Sequence, residues 1–387
     1  MAAWIGLLGV LLLAVILWDA FETIILPRRV TRRLRLARMF YKFTWLPWRF
    51  VARRMARSKW REGFLGVYGP LSVLSLFVFW AAGLIVAFAM MQWSVLSLLE
   101  GGLVAKTFRA ELYFSGTTFF TLGLGDVAPH TPLARLITVL ESGTGFGFLA
   151  VVISYLPVLY GAFSRREVNI SLLDARAGSP PTAAELLRRH TRQKNLAALD
   201  DYLRAWEVWA AELMESHLSY PVLCYFRSQH NNQSWVAALA AILDTCAVLI
   251  AHTEDSRTAE GELRWQAELT FAICRHALVD LAQAMSIPPG TVPEDRLDPE
   301  TLEELRQFLG AHGQPVCKQR EGETNLKQMR QMYEPFLCGF SDRLLMPLPG
   351  WSPVKSSADN WRTSAWGKAA APRGAAFGSG GEDEEHS

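Results

Sequence analysis

Thr117 to Asp126 (Thr-Thr-Phe-Phe-Thr-Leu-Gly-Leu-Gly-Asp) has residue types and spacing suited to one chemistry. Gly123 and Gly125, a single residue apart, let the backbone enter conformations closed to ordinary L-residues, so consecutive carbonyl oxygens can point the same way. A row of such oxygens can replace the hydration shell of a dehydrating cation. Thr117 and Thr118 precede the run, Thr121 opens it with a hydroxyl, and Asp126 closes it with a carboxylate. Glu141 is a second candidate, because an acid inside an apolar segment is costly unless paired, protonated or water-facing. It can lie behind the glycine run, near Thr117 or Ser115, or face a cavity. The first placement implies that pH modulates transport. Other chemistries find little support. His190, His217, His230, His252, His276 and His312 form no triad or metal motif with Asp, Ser or Cys, so an enzyme is not expected. Cys224, Cys246, Cys274, Cys317 and Cys338 match neither a zinc site nor a redox pair and read as reduced, mostly buried thiols.

These residues need a membrane to position them. Half of the 387 residues are hydrophobic while the charged fraction is ordinary, as expected for a membrane part and a soluble part in series. Ala2 to Trp18 carries no charge and, extended through Leu26, covers a bilayer core of about 30 Å. Pro27 to Arg61 then holds 13 Lys or Arg and no acid. By the positive-inside rule the N-terminus lies outside and this stretch in the cytoplasm. Its interleaved aromatics fit one or two helices along the inner leaflet, broken near Pro47, with anionic headgroups from Arg28 to Arg61 as partner in preference to nucleic acid. Asp19 and Glu22, three residues apart at the end of the first span, either pair with Arg28, Arg29 or Arg32 or sense protons or ions. Gly63 to Leu99 is uncharged over 37 residues and supplies the second span, about Gly66 to Gln92, with Pro70 near its start. Phe108 to Phe119 is too short to cross and reads as a re-entrant helix whose partially negative C-terminal end favours a cation. A third span runs from about Leu133 to Phe163. Within it Gly143, Gly145, Gly147 and Pro157 serve either as a hinge or as close-packing positions.

From Glu167 the pattern becomes that of soluble amphipathic helices, with no alternating or hairpin signal. Thr182-x-x-Glu185 reads as a capping box opening a helix to about His190, and Leu196 to Ser216 follows. Ser234 to His252 is a buried core helix or, alternatively, a fourth span. Glu260 to Met285, a helix capped by Asp298-Pro299-Glu300, and a last helix from Glu323 to Leu345 complete the set. His217 to Trp235 is loop-like, either a plain connection or a regulatory surface. The tail from Pro347 is expected to be disordered. The expected fold is therefore an all-α membrane protein with three transmembrane helices, a re-entrant pore helix and filter, and an all-helical cytoplasmic domain. Its divisions are 1–27, 28–62, 63–166, 167–346 and 347–387.

Thr117–Asp126, flanked by the two spans, resembles the selectivity filter of potassium channels, whose usual form is Thr-Val-Gly-Tyr-Gly-Asp. The resemblance covers roughly Leu112 to Arg166. It implies that K+ is the permeant ion and only bound metal, held by Thr121, Leu122, Gly123 and Leu124, with Gly125 completing the turn and no cofactor. Thr117, Thr118, Asp126 and Glu141 would support the filter, and the glycine cluster falls where such channels bend their inner helix. One chain supplies one strand and no second copy is present, so the resemblance implies a homotetramer in the plasma membrane. Leu124 stands where an aromatic residue is usual, as in second pore loops of two-pore-domain channels. Thr117 stands where some relatives carry a carboxylate partner for the filter aspartate. Asp126 should therefore face the outer vestibule or a neighbouring pore helix. No voltage sensor or nucleotide-binding regulator domain is recognisable, so the gating ligand is left open. Alternatives are a weakly selective cation channel and a non-conducting receptor or scaffold.

Overall fold

In the computed structural model the described residues are 2–26, 35–56, 58–99, 107–191, 196–229, 232–252, 259–291, 295–297, 299–311 and 320–352. Three helices follow directly from apolar length: α1 (Ala2–Ile24), α3 (Lys59–Leu99) and α5 (Pro132–Ala177). Each is long and apolar enough to cross a membrane. α1 runs antiparallel along α3, since Gly9 meets Ala87, Ile16 meets Gly83 and Asp19 meets Trp80. Gly9 permits this approach: a Cβ there would stand 2.8 Å from the Ala87 carbonyl oxygen.

Asp19 and Glu22 are both buried. Asp19 accepts hydrogen bonds from the Trp80 indole (3.0 Å) and from the backbone amide of Ala37 (3.0 Å), which opens α2 (Leu36–Arg54). A carboxylate from one helix thus caps the positive end of another while being tied to a third. Glu22 accepts from Trp18 (2.8 Å) and lies 3.8 Å from Arg35. Arg28, Arg29 and Arg32, the expected partners, lie outside the described residues.

α2 does not break at Pro47, which sits inside a continuous helix. Its buried face sets Trp45, Trp48 and Tyr41 against Phe64, Tyr68 and Tyr225. Pro70 likewise lies within α3, and α5 continues past Phe163 to Ala177, so the division expected at 166/167 falls inside a helix.

The remaining helices are α6 (Ala183–Thr191), α7 (Leu196–Ser219), α8 (Trp235–His252), α9 (Ala259–Met285), α10 (Pro299–Ala311), α11 (Arg320–Gln331) and α12 (Glu334–Leu344). α8 lies at the centre of this helical domain: Trp235 to Leu249 is buried residue by residue, which favours the core-helix reading over a fourth span. Its one acid, Asp244, accepts from Arg296 (2.7 Å) and from the Tyr333 hydroxyl (2.7 Å). Three details differ from expectation. Thr182 Oγ1 accepts from the Glu185 amide, but the Glu185 carboxylate turns to Arg188 and Arg189, so the capping box is half made. The last helix is two, α11 and α12, parted just before Pro335, which has no amide to continue the ladder. The start of the tail is packed: Trp351 is fully buried, and its carbonyl accepts from Ala184, while residues 353–387 lie outside the described residues. Cys224, Cys246 and Cys274 are buried free thiols, and burial pushes Cys224 up to about 12. Cys317 lies outside the described residues.

Candidate ion-conducting site

The short helix α4 (Phe108–Phe119) packs between α3 and α5 and ends where the glycine run begins. Thr107 and the acid Glu111 mark its first turn. Its C-terminal carbonyls are claimed by the run itself. Phe120 N donates to Gly116 O (3.2 Å), Thr121 N to Thr118 O (3.0 Å), and Leu122 N to Thr117 O (2.7 Å). Gly123 N also reaches Thr117 O, at 3.4 Å. In a trans peptide the carbonyl opposes the amide, so the carbonyls of Thr121 and Leu122 point away from α4. Thr121, Gly123 and Gly125 have φ of 57°, 55° and 79°, whereas Leu122 and Leu124 stay at negative φ. Alternation of hand between successive residues turns neighbouring peptide planes the same way and lines up their dipoles. Thr121 holds this left-handed conformation without being glycine, which is uncommon and marks a constrained backbone. Leu122 and Leu124 expose their side chains in the single chain, each 63% accessible.

Behind this run the packing is tight. Gly145 of α5 faces the last carbonyl of α4: a Cβ at that position would overlap Phe119 O, whereas nothing lies within 4 Å of one at Gly143 or Gly147. The three glycines are therefore unequal. Gly145 is a contact position, and the other two, with Pro157, lie in an unbroken helix. Gln92 of α3 fixes the start of α5 through Ala134 O (3.2 Å) and Thr138 Oγ1 (3.0 Å).

Glu141 is fully buried and bonded to Ser115 of α4. It does not reach Thr117, whose hydroxyl is turned back to Phe114 O (2.9 Å). The Ser115 hydroxyl also meets Ile85 O at 2.7 Å, so one side chain ties α3, α4 and α5 together. Glu111 is the like-charged neighbour of this carboxyl. Asp126 is exposed, and its carboxylate accepts from the Val127 amide (3.1 Å).

The segment His217 to Trp235, read as either a plain connection or a regulatory surface, links α7 to α8 and is buried in its first half around Val222 to Phe226. After α7 comes a short 3-10 turn, Pro221–Tyr225, in which Val222, Leu223, Cys224 and Tyr225 are buried. Arg166 of α5 enters it, donating to Leu223 O (3.0 Å) and Phe226 O (2.9 Å) and meeting His217 Nε2 at 3.1 Å. Ten residues on, Arg176 meets His190 Nε2 at 3.1 Å. Burial, reinforced by Arg166, holds the His217 imidazole well below its ordinary range, and burial lowers His190 as well. Both rings are neutral acceptors near neutrality, so α5 is joined to the helical domain by paired arginines and imidazoles.

Residues 73–159 match the family described as Ion channel. That stretch takes in most of α3, all of α4, the glycine run and α5 as far as Leu159. A curated relative, the "Uncharacterized membrane protein YdjJ" of Bacillus subtilis (strain 168), is 29% identical over 133 residues. The aligned part is 34% of this chain and 38% of that protein, so well under half of either is compared. No solved structure matches. A segment similar to the Ion channel family, set in an all-α membrane protein, is what these observations show together.

Proposed function

We propose that the chain is one subunit of a homotetrameric, potassium-selective channel that conducts passively and is gated by bending of α5, coupled to the helical domain. In this reading the N-terminus is outside, the helical domain is cytoplasmic, and Thr121, Leu122, Gly123 and Leu124 hold K+ with Gly125 closing the run. The supporting observation is the alternation of φ from Thr121 to Gly125, with the amides turned back onto α4 and the carbonyls of Thr121 and Leu122 turned away. Four such strands about one axis would surround a dehydrated cation with oxygens. Purified protein in liposomes is expected to admit K+, and Gly123→Asp, which sets a carboxylate on a left-handed glycine, is expected to reduce flux to the protein-free level. Flux absent from well-folded wild-type tetramers would defeat the reading. Leu124 favours a second, weakly selective version, which bi-ionic reversal potentials separate from the first.

Glu141 adds a pH dependence to this reading. The single proton of the Ser115 hydroxyl serves either Ile85 O or Glu141, and both contacts close when the Glu141 carboxyl donates in its acid form. Deprotonation would leave a charge with no escape to water behind the filter. Current is therefore expected to change with pH in the wild type and to lose most of that change in Glu141→Gln, which keeps a donor at either pH. A Glu141→Gln channel with the wild-type pH response would exclude this role.

A further inference from the structure

α2 has two faces, and only one is covered by the chain. On the other, Met39, Phe43, Leu46 and Phe50 are exposed at spacings of four, three and four residues, a single stripe along the helix. Arg38, Lys42, Arg53 and Arg54 are exposed beside it. The first turn of α2 is fixed to the end of α1 through Asp19, and its buried side packs on the start of α3. An apolar stripe flanked by cations, held between two membrane-spanning helices, is complementary to the inner leaflet of a bilayer carrying anionic headgroups.

The covered face of the same helix holds the helical domain. Trp45 Nε1 donates to Arg343 O (3.0 Å), and Arg49 donates to both the carbonyl and the carboxylate of Asp342, each at 2.9 Å. Arg53 reaches the other carboxylate oxygen of Asp342 at 2.5 Å. This last pair remains in solvent, with side chains 49% and 69% accessible, where a headgroup phosphate can reach it. Resting on the membrane topology proposed above, we infer that anionic lipid at the exposed face of α2 competes with Asp342 for Arg53, so that leaflet charge sets how firmly α12 is held to α2. A phosphate oxygen offers a guanidinium the same fork geometry as a carboxylate, and a lipid surface presents many at once.

The test uses the full chain in nanodiscs of phosphatidylcholine alone and of phosphatidylcholine and phosphatidylglycerol in about equal parts. Hydrogen exchange is followed across α12. Anionic lipid is expected to speed exchange there roughly fivefold, the value of one cation at an anionic surface. Asp342→Asn should exchange fast in both discs. Arg38→Gln/Lys42→Gln/Arg54→Gln, which leaves the Asp342 contacts intact, should exchange slowly in both. Equal exchange of wild-type α12 in the two bilayers, as when a second copy of the chain covers the stripe, overturns the inference. So does the same acceleration by soluble glycerol phosphate in neutral discs. The readout does not need conduction: a chain that answers to lipid but passes no K+ keeps this inference and defeats the channel reading, and the reverse result does the opposite.

Discussion

Gly145→Ala is expected to pass no K+ above background, while Gly143→Ala and Gly147→Ala still conduct. The three changes add the same methyl group to the same helix, so helix propensity does not separate them. In each case Ala favours the helix by roughly 0.5–1 kcal/mol. What differs is the space. At Gly145 the methyl group would enter the carbonyl of Phe119, a backbone atom that cannot rotate aside, whereas at Gly143 and Gly147 it meets nothing. Relief requires α4 and α5 to part, at about 1–3 kcal/mol for overpacking of this kind. The end of α4 is where Gly116, Thr117 and Thr118 offer the carbonyls that anchor Phe120, Thr121 and Leu122, so the displacement passes directly into the run. Thermal stability and flux measured on the three variants check this. Equal flux from Gly145→Ala and wild type would mean that the contact has no part in conduction. Gly143→Ala and Gly147→Ala carry separate information: if these glycines, with Pro157, provide the bend proposed for gating, both variants conduct with altered open probability.

Much of this arrangement could be read in the sequence because it depends on local rules. Charge-free length gave α1, α3 and α5, and the interval between the last two admitted only a helix too short to cross, found at Phe108–Phe119. Glu141 was conspicuous through its surroundings, and the structure selects Ser115 over Thr117 because Thr117 spends its hydroxyl within its own helix. The differences come from tertiary contact, which no period reports. Pro47 stays helical because Trp45 and Trp48 on either side are held in an aromatic cluster. The capping of α2 by Asp19 was not legible, since a helix N-terminus eighteen residues away in sequence is invisible until the chain folds back. Trp351 looked like part of a flexible tail, yet its ring lies fully buried below Arg296 and Arg330. The burial of His217 was not legible, because its partner, Arg166, belongs to an element some fifty residues earlier.

Arg166→Ala is expected to have the largest effect on stability and to release the 3-10 turn Pro221–Tyr225 from α5. The side chain is nearly inaccessible, and its guanidinium serves Leu223 O, Phe226 O, His217 and Glu167 together. Truncation leaves two buried carbonyls and one imidazole without a donor, and loss of one partner from a buried charged network costs about 3–5 kcal/mol. Arg166→Lys keeps the charge but brings one nitrogen in place of a planar fork, so it should recover only part of the loss. The Trp209 indole donates to the Arg166 carbonyl, which either variant retains, so α7 stays on α5 while the 3-10 turn Pro221–Tyr225 is released. Hydrogen exchange is expected to rise at 221–226 before it rises in α8. The junction should also depend on pH with a definite sign. The His217 value is lower in the folded protein than its ordinary 6.5, so its contribution is complete above that value and is lost as pH falls below it, because the unfolded chain takes up the proton first. Wild type should therefore lose stability on acidification from neutrality more steeply than His217→Gln, which accepts from Arg166 without titrating. If both proteins lose stability equally over that range, the acid sensitivity lies elsewhere. If Arg166→Ala leaves both exchange at 221–226 and channel gating unchanged, the helical domain does not act through this contact.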